Sequence, residues 1–217
     1  MRREEADAAT THPRGRAATF NTPNRFEKTH LEPLDIDVPY GEDIPPTPTT
    51  FYSDTSKTVL AKNDSPDLPF TYSINPYRGC EHGCIYCYAR PSHEYLGFSA
   101  GLDFETKIMV KMDAPRLLEE HLRRKSWVPQ MVALSGNTDC YQPVERKLQI
   151  TRKCLEVFLR FRNPVSLITK NALVVRDIDI ISEMAKLNLI HVMLSITTLD
   201  PDLARTMEPR TSTSSRR

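Results

Sequence analysis

Apolar positions are sparse and aperiodic over residues 1–68 and become regular from Phe70 onward. In the first stretch proline and threonine recur, as in Pro45-Pro-Thr-Pro-Thr-Thr50, and charges of both signs are mixed. Such a segment buries too little apolar surface to offset its chain entropy, so it reads as a poorly ordered extension. Residues 20–26 and 58–60 are its exceptions, apolar enough to pack on a domain. Beyond it, strand-like runs alternate with helical patterns. Residues 70–75 read as a first strand, ended by Pro76, and residues 89–96 as a helix entered through Pro91. A second strand covers 107–111. Asp113 is placed to cap the next helix, with Pro115 in its first turn and Leu117, Leu118 and Leu122 as its buried stripe. Residues 131–134 read as a third strand running into a polar loop over 135–143. The longest helix, 144–160, has a broad apolar face. A fourth strand, 165–169, ends at Lys170; a helix over 177–187 turns Ile178, Ile181 and Met184 inward; a fifth strand covers 189–196.

Strands alternating with helices imply β-α-β units, hence an α/β fold with a parallel sheet. Near-continuous apolar strands imply cover on both faces. In parallel sheets and barrels chemistry gathers at the carboxyl ends of the strands. The loop after residue 75, Thr138, Lys170 and the stretch Ser195-Ile-Thr-Thr198 all fall at such ends. The organisation expected is an extension over 1–68, a core over 69–210 and a tail over 211–217.

Composition changes this picture little. The 217 residues suit one domain plus tails on a prior of roughly 100–200 residues per domain. The 39% hydrophobic content is low for a globular chain, and the proline-rich N-terminal stretch accounts for the deficit. Net charge is +1, from 29 basic and 28 acidic residues, which leaves a nucleic-acid partner unsupported by charge. No apolar run is long enough for a signal peptide or membrane span. With an odd count of five cysteines, a reducing cytoplasm is the expected setting and no membrane partner is expected.

Candidate chemistry starts at Cys80-Glu-His-Gly-Cys84-Ile-Tyr-Cys87, three cysteines separated by three and then two residues. Thiolates so close, in a turn containing Gly79 and Gly83, can converge on one metal centre. A structural zinc site wants four protein ligands, and an iron–sulfur cluster usually has four cysteines. A set of three leaves one coordination position open. Zinc with His93 or, with more strain, His82 as fourth ligand is the alternative, and a disulfide with a spare thiol is disfavoured by the short loops.

The spacing Cys80-x3-Cys84-x2-Cys87, with aromatic Tyr86 before the last cysteine, resembles the signature of the radical S-adenosylmethionine (SAM) enzymes. The flanks Ser73-Ile-Asn-Pro-Tyr-Arg-Gly-Cys80 and Cys87-Tyr-Ala-Arg-Pro91 look more narrowly like the uncharacterised branch related to spore photoproduct lyase. The resemblance implies a [4Fe–4S] cluster on Cys80, Cys84 and Cys87, with SAM chelating the fourth iron and cleaved reductively to a 5′-deoxyadenosyl radical. It implies a reductant such as a flavodoxin or ferredoxin and a substrate that remains unidentified. Tyr86 would contact the adenine and Tyr88 would face the substrate or a radical relay. Lys170, Ser195 and Thr138 match cofactor contacts of that branch. The fold implied is a partial parallel β/α barrel of six units. Only five strands are countable, so the last strand or strands are expected to be lacking, as in a C-terminally truncated or split product, with an unpaired edge on the fifth.

Other readings stand beside this one. A non-catalytic iron–sulfur or zinc-binding fragment uses the same cysteines, and a DNA-repair lyase needs a basic groove. The hydrogen-donor cysteine of the photoproduct enzyme does not carry over, because Gly136 takes its place and Cys140 comes later; Cys140 then reads as a buried neutral thiol. Cys154 reads as helix-face packing and His191 as a core histidine. Arg205, Arg210, Arg216 and Arg217 fit phosphate contacts or a solvated tail equally well.

Overall fold

The structure, a computed structural model, describes residues 15–26 and 47–217. Of the extension read over 1–68, residues 1–14 and 27–46 lie outside the described residues. In chain order the strands are β1 (Thr50–Ser53), β2 (Leu60–Lys62), β3 (Tyr72–Ile74), β4 (Tyr77–Arg78), β5 (Lys107–Val110), β6 (Val132–Leu134), β7 (Val165–Thr169) and β8 (Ile190–Leu194). The α-helices are α1 (Asp103–Thr106), α2 (Ala114–Leu122), α3 (Glu145–Leu148), α4 (Ile150–Arg160), α5 (Ile178–Lys186) and α6 (Pro201–Met207). Single 3-10 segments cover Arg90–Leu96, Ala172–Asp177 and Ser214–Arg216.

The main sheet runs β2-β3-β6-β7-β8, antiparallel at β2 and parallel thereafter, so the α/β parallel architecture is present. It is open among the described residues, with β8 at one edge. Leu118 of α2, Leu155 and Phe158 of α4 and Met184 of α5 pack with Ile74, Leu134 and Leu167 in one core on one face. The opposite face carries a row of paired residues, Ser73, Ala133, Ser166 and His191, in register across four strands. Small side chains there leave room above the sheet. Among the described residues the expected cover on both faces is therefore not present, and Val192, Met193 and Leu194 of β8 are 39–46% exposed.

The strand expected over 107–111 forms but belongs elsewhere. It is the centre of a second sheet, β1-β5-β4, parallel to β1 and antiparallel to β4. Its alternation explains this: Ile108 and Val110 are buried while Lys107 and Met109 are half-buried, the pattern of a strand covered on one face. The segments 20–26 and 58–60 do pack. Asn24 donates to the Glu94 and Phe98 carbonyls, and Val59 is buried. Residues 50–53 and 60–62, inside the stretch read as an extension, are strands because their edges pair with β5 and β3.

Three local details also differ. The helix read over 144–160 breaks at Gln149, which is left-handed at φ 54°. Buried Glu145 accepts from the Ile150 and Thr151 amides at 3.1 Å, satisfying the free donors at the start of α4. Asp113 makes no side-chain cap and pairs with Arg116 instead. In α5 the inward stripe is Ile180, Ile181 and Met184, because the helix starts at Ile178, which stays exposed.

Candidate functional site at the strand ends

Pro76 has no amide to continue a ladder, and there the chain crosses from β3 in one sheet to β4 in the other. The cysteine loop follows directly. The Cys80 amide donates to the Phe104 carbonyl at 2.9 Å, pinning the loop's start to α1. Gly83 turns the chain at φ +66°, and a Cβ there would sit 2.6 Å from Glu105 Oε2. Arg90 closes the loop from below: it donates to the Cys84 carbonyl at 2.9 and 3.0 Å, to Gly83 and Gly101, and to buried Glu105. Glu105 also accepts the amides of Ala17 and Ala18, so the N-terminal segment is tied to the same point.

Burial pushes the Cys80 thiol well above its ordinary value. Burial, with Glu208 nearby, pushes Cys84 up to about 12. The free Cys80 and Cys84 thiols are therefore neutral, and binding to a cationic iron centre would displace their protons.

The loops after β6 and β7 meet the cysteine loop at Asp139. Its carboxylate accepts from the Lys170 amide at 2.8 Å, the Thr169 hydroxyl at 2.7 Å and the Tyr141 amide, and lies 3.3 Å from His82 Nδ1. Burial would raise this carboxyl, but His82 and these donors outweigh it and hold it below the ordinary range. His82 Nε2 in turn faces the Asn171 amide at 3.1 Å. Neither Asp139 nor Asn171 was singled out in the sequence; the polar run Asn137-Thr-Asp at a strand end was the available signal.

Cys80, Cys84 and Cys87 line one cleft of about 280 Å³ together with Tyr86, Tyr88, Thr138, Lys170 and Ser195. The cluster and cofactor candidates read from the sequence thus line the same space. Their roles there differ. The Tyr86 hydroxyl donates to Glu208 at 2.5 Å, and Lys170 Nζ stands 5.9 Å from the Tyr86 ring centre. Tyr88 is 75% exposed and donates to the Gly136 carbonyl. Thr138 is buried, and its hydroxyl proton goes to the Tyr77 carbonyl at 2.8 Å, so it has no donor left for a ligand. Ser195 joins β7 through its amide to the Thr169 carbonyl. A second cavity, about 650 Å³, opens on the uncovered sheet face and shares Tyr88, Ser135, Gly136 and Ile168 with the cleft.

The zinc alternatives fare poorly. His82 is engaged on both ring nitrogens, and His93 is wholly buried between Phe98 and Phe104. Among the described residues no three His, Cys, Asp or Glu side chains converge closely enough to hold a single ion. A cluster, which offers a separate iron to each thiolate, fits three spread cysteines better. Cys140 is buried outside the cleft, with its thiol raised by burial, and Cys154 packs in the core. His191 is exposed on β8 and lines the second cavity, contrary to the core role expected. Arg217 is no solvated tail residue: its side chain is fully buried against Glu208. Arg210 pairs with Glu81 at 3.2 Å.

The cysteine loop and these strand ends lie within residues 74–217, which match the model of the Radical SAM superfamily. The chain belongs to the radical SAM superfamily. An uncharacterised protein of Mycobacterium tuberculosis is 40% identical over 165 residues, covering 76% of this chain and 48% of that protein. An uncharacterised protein of Methanocaldococcus jannaschii is 30% identical, covering 64% of this chain and 49% of that protein. This radical SAM chain thus spans about half the length of these relatives. Its fold is similar to a spore photoproduct lyase solved with bound AdoMet and dinucleoside spore photoproduct, at 17% identity and TM-score 0.53, covering 77% of this chain and 44% of that one. No helix among the described residues is long and apolar enough to cross a membrane.

Proposed function

We propose that this chain binds a [4Fe–4S] cluster on Cys80, Cys84 and Cys87 and SAM in the adjoining cleft, and belongs to an enzyme that performs radical chemistry on a further substrate. The observation that carries this reading is the single cleft shared by the three cysteines, Tyr86, Lys170 and Ser195. Cysteines alone would suit a structural clip. A lysine, a serine and an aromatic ring brought in from other loops suit a ligand with a carboxylate, hydroxyls and a base. The bound cluster and SAM would supply a 5′-deoxyadenosyl radical once a reductant such as a ferredoxin or flavodoxin delivers one electron.

The protein's own part is binding, orientation and exclusion of water. Lys170 supplies a compact cation for the SAM carboxylate or ribose. Arg90 and Gly83 hold the loop that presents the thiolates, and Asp139 fixes the Lys170 backbone against His82. Tyr88 stands between the cleft and the larger cavity, where a substrate would meet the radical. Among the described residues that cavity is lined without Asp, Glu, Lys or Arg. With a net charge of +1, this weighs against a DNA substrate and favours a neutral group.

Anaerobic reconstitution with iron and sulfide should load about four irons per chain, and reduction with dithionite in the presence of SAM should release 5′-deoxyadenosine. A loaded protein that neither binds nor cleaves SAM defeats the catalytic reading. About one zinc per chain, without broad visible absorption, selects the non-catalytic metal module instead.

A further inference from the structure

The segment after β8 contributes to the cleft in a way its composition did not signal. At the end of α6 the Met207 carbonyl accepts from the Ile85 amide at 2.9 Å, and beyond it the Ser212 amide donates to the Lys170 carbonyl at 3.3 Å. This stretch therefore bridges the cysteine loop and the end of β7. At its centre lies Glu208, 2% exposed. One carboxylate oxygen accepts from the Tyr86 hydroxyl at 2.5 Å and from Thr197 at 3.2 Å; the other accepts from Arg217 Nη2 at 2.7 Å. The same guanidinium donates to the Ser195 carbonyl at 2.8 Å through Nη1.

A buried carboxylate is retained where its partners satisfy it. Here those partners are the aromatic side chain of the cysteine loop on one side and, through Arg217, the end of β8 on the other. Tyr86 itself is 42% exposed. Its hydroxyl is held by Glu208 and lies 3.0 Å from Thr197 Oγ1.

We propose that Glu208 is the positioning residue of the cofactor cleft, holding Tyr86 in the orientation that receives the SAM adenine and, through Arg217, keeping Ser195 in register with it. This rests on the SAM-binding reading above. Glu208 touches no reacting atom and acts through Tyr86.

The test is SAM affinity, measured by equilibrium dialysis on the full chain reconstituted anaerobically, for wild type, Tyr86→Phe, Glu208→Ala, Glu208→Gln and the Tyr86→Phe/Glu208→Ala double variant. Iron content and the unfolding midpoint are recorded for each. Glu208→Ala and Tyr86→Phe should each weaken SAM by about tenfold, the worth of one strong hydrogen bond, while iron content holds. The double variant should lose less than the sum of the two singles, because both changes remove the shared Tyr86–Glu208 bond. Glu208→Gln, which keeps an acceptor for the tyrosine, should recover part of the loss. The EPR change that SAM induces in the reduced cluster should shrink in the same order.

Unchanged affinity in Tyr86→Phe, which disturbs no buried packing, overturns the proposal even if Glu208→Ala folds poorly. Additive losses in the double variant overturn it as well. A loaded wild type that binds no SAM overturns the functional reading and this inference with it; a wild type that binds SAM, with Glu208→Ala its equal, overturns this inference alone.

Discussion

Arg90 Nη2 meets Glu105 Oε1 at 2.5 Å directly beneath the cysteine loop, with Glu105 fully buried and the Arg90 side chain 13% exposed. The same guanidinium carries the Cys84, Gly83 and Gly101 carbonyls, so one side chain sets the path of the loop and neutralises the carboxylate below it. Removing one partner of a buried pair costs about 3–5 kcal/mol because the other is left charged and dry. Arg90→Met should therefore lower the unfolding free energy by that order and abolish iron loading. Arg90→Lys should do nearly as badly, since an ammonium cannot span these carbonyls in one plane. Chemical denaturation and iron analysis check both; Arg90→Lys with normal iron content would remove the guanidinium from the account of the loop.

How much of this was legible beforehand depended on whether the signal was local. The cysteine spacing and the strand ends at Thr138, Lys170 and Ser195 are local features, and all of them line the cleft. Arg90 lay within the quoted flank, but its partner Glu105 is an acid in a charged run with no periodicity to mark it as buried. Glu208 and Arg217 likewise sit in a polar segment whose burial arises only from three-dimensional closure onto Tyr86. The apolar alternation over 107–111 marks a strand but not the sheet it joins, because pairing partners are non-local. The break at Gln149 was hidden for the opposite reason. The apolar face continues through it, and only the buried Glu145 carboxylate, capping the Ile150 and Thr151 amides, reveals two helices.

Thr138 and Lys170 face the same cleft, but their hydrogen bonds predict different outcomes. The Thr138 hydroxyl is spent on the Tyr77 carbonyl. Thr138→Val should cost about 1–2 kcal/mol of stability for that lost buried bond and leave SAM affinity essentially unchanged. Only the Lys170 backbone is fixed, by Asp139, and its ammonium faces the cleft. Lys170→Met should weaken SAM by roughly tenfold to a hundredfold, the range of a charge-assisted bond, with little change in melting temperature. The reverse pattern in isothermal titration and thermal melts would exchange the two roles.

Acid should destabilise the chain through His93. Both its ring nitrogens lack a partner among the described residues, and burial pulls its pKa from 6.5 down to about 4. A histidine depressed in the folded state takes its proton first when unfolded, so stability is full above about 6.5 and is lost as the pH falls towards 4. Replacing it with an apolar side chain of similar size removes that proton uptake. His93→Leu should be near neutral at pH 8 and should flatten the fall in melting temperature between pH 6.5 and 4.5. An unchanged acid slope would place the sensitivity on other groups.

Gly83 and Gly97 share a left-handed backbone, at φ +66° and +77°, yet substitution should separate them sharply. At Gly97 an added Cβ meets nothing within 4 Å, so Gly97→Ala carries only backbone strain, about 1–2 kcal/mol. At Gly83 the same strain applies, and the Cβ also falls 2.6 Å from Glu105 Oε2, whose carboxylate is fastened by Arg90, Ala17 and Ala18 and cannot swing aside. The loop must move instead, and it carries Cys80 on one side and Cys84 on the other. Gly83→Ala should therefore lose more stability than Gly97→Ala and also lose iron, while Gly97→Ala loads normally. Equal iron content in the two variants, measured after identical reconstitution, would mean that Glu105 does not constrain the loop.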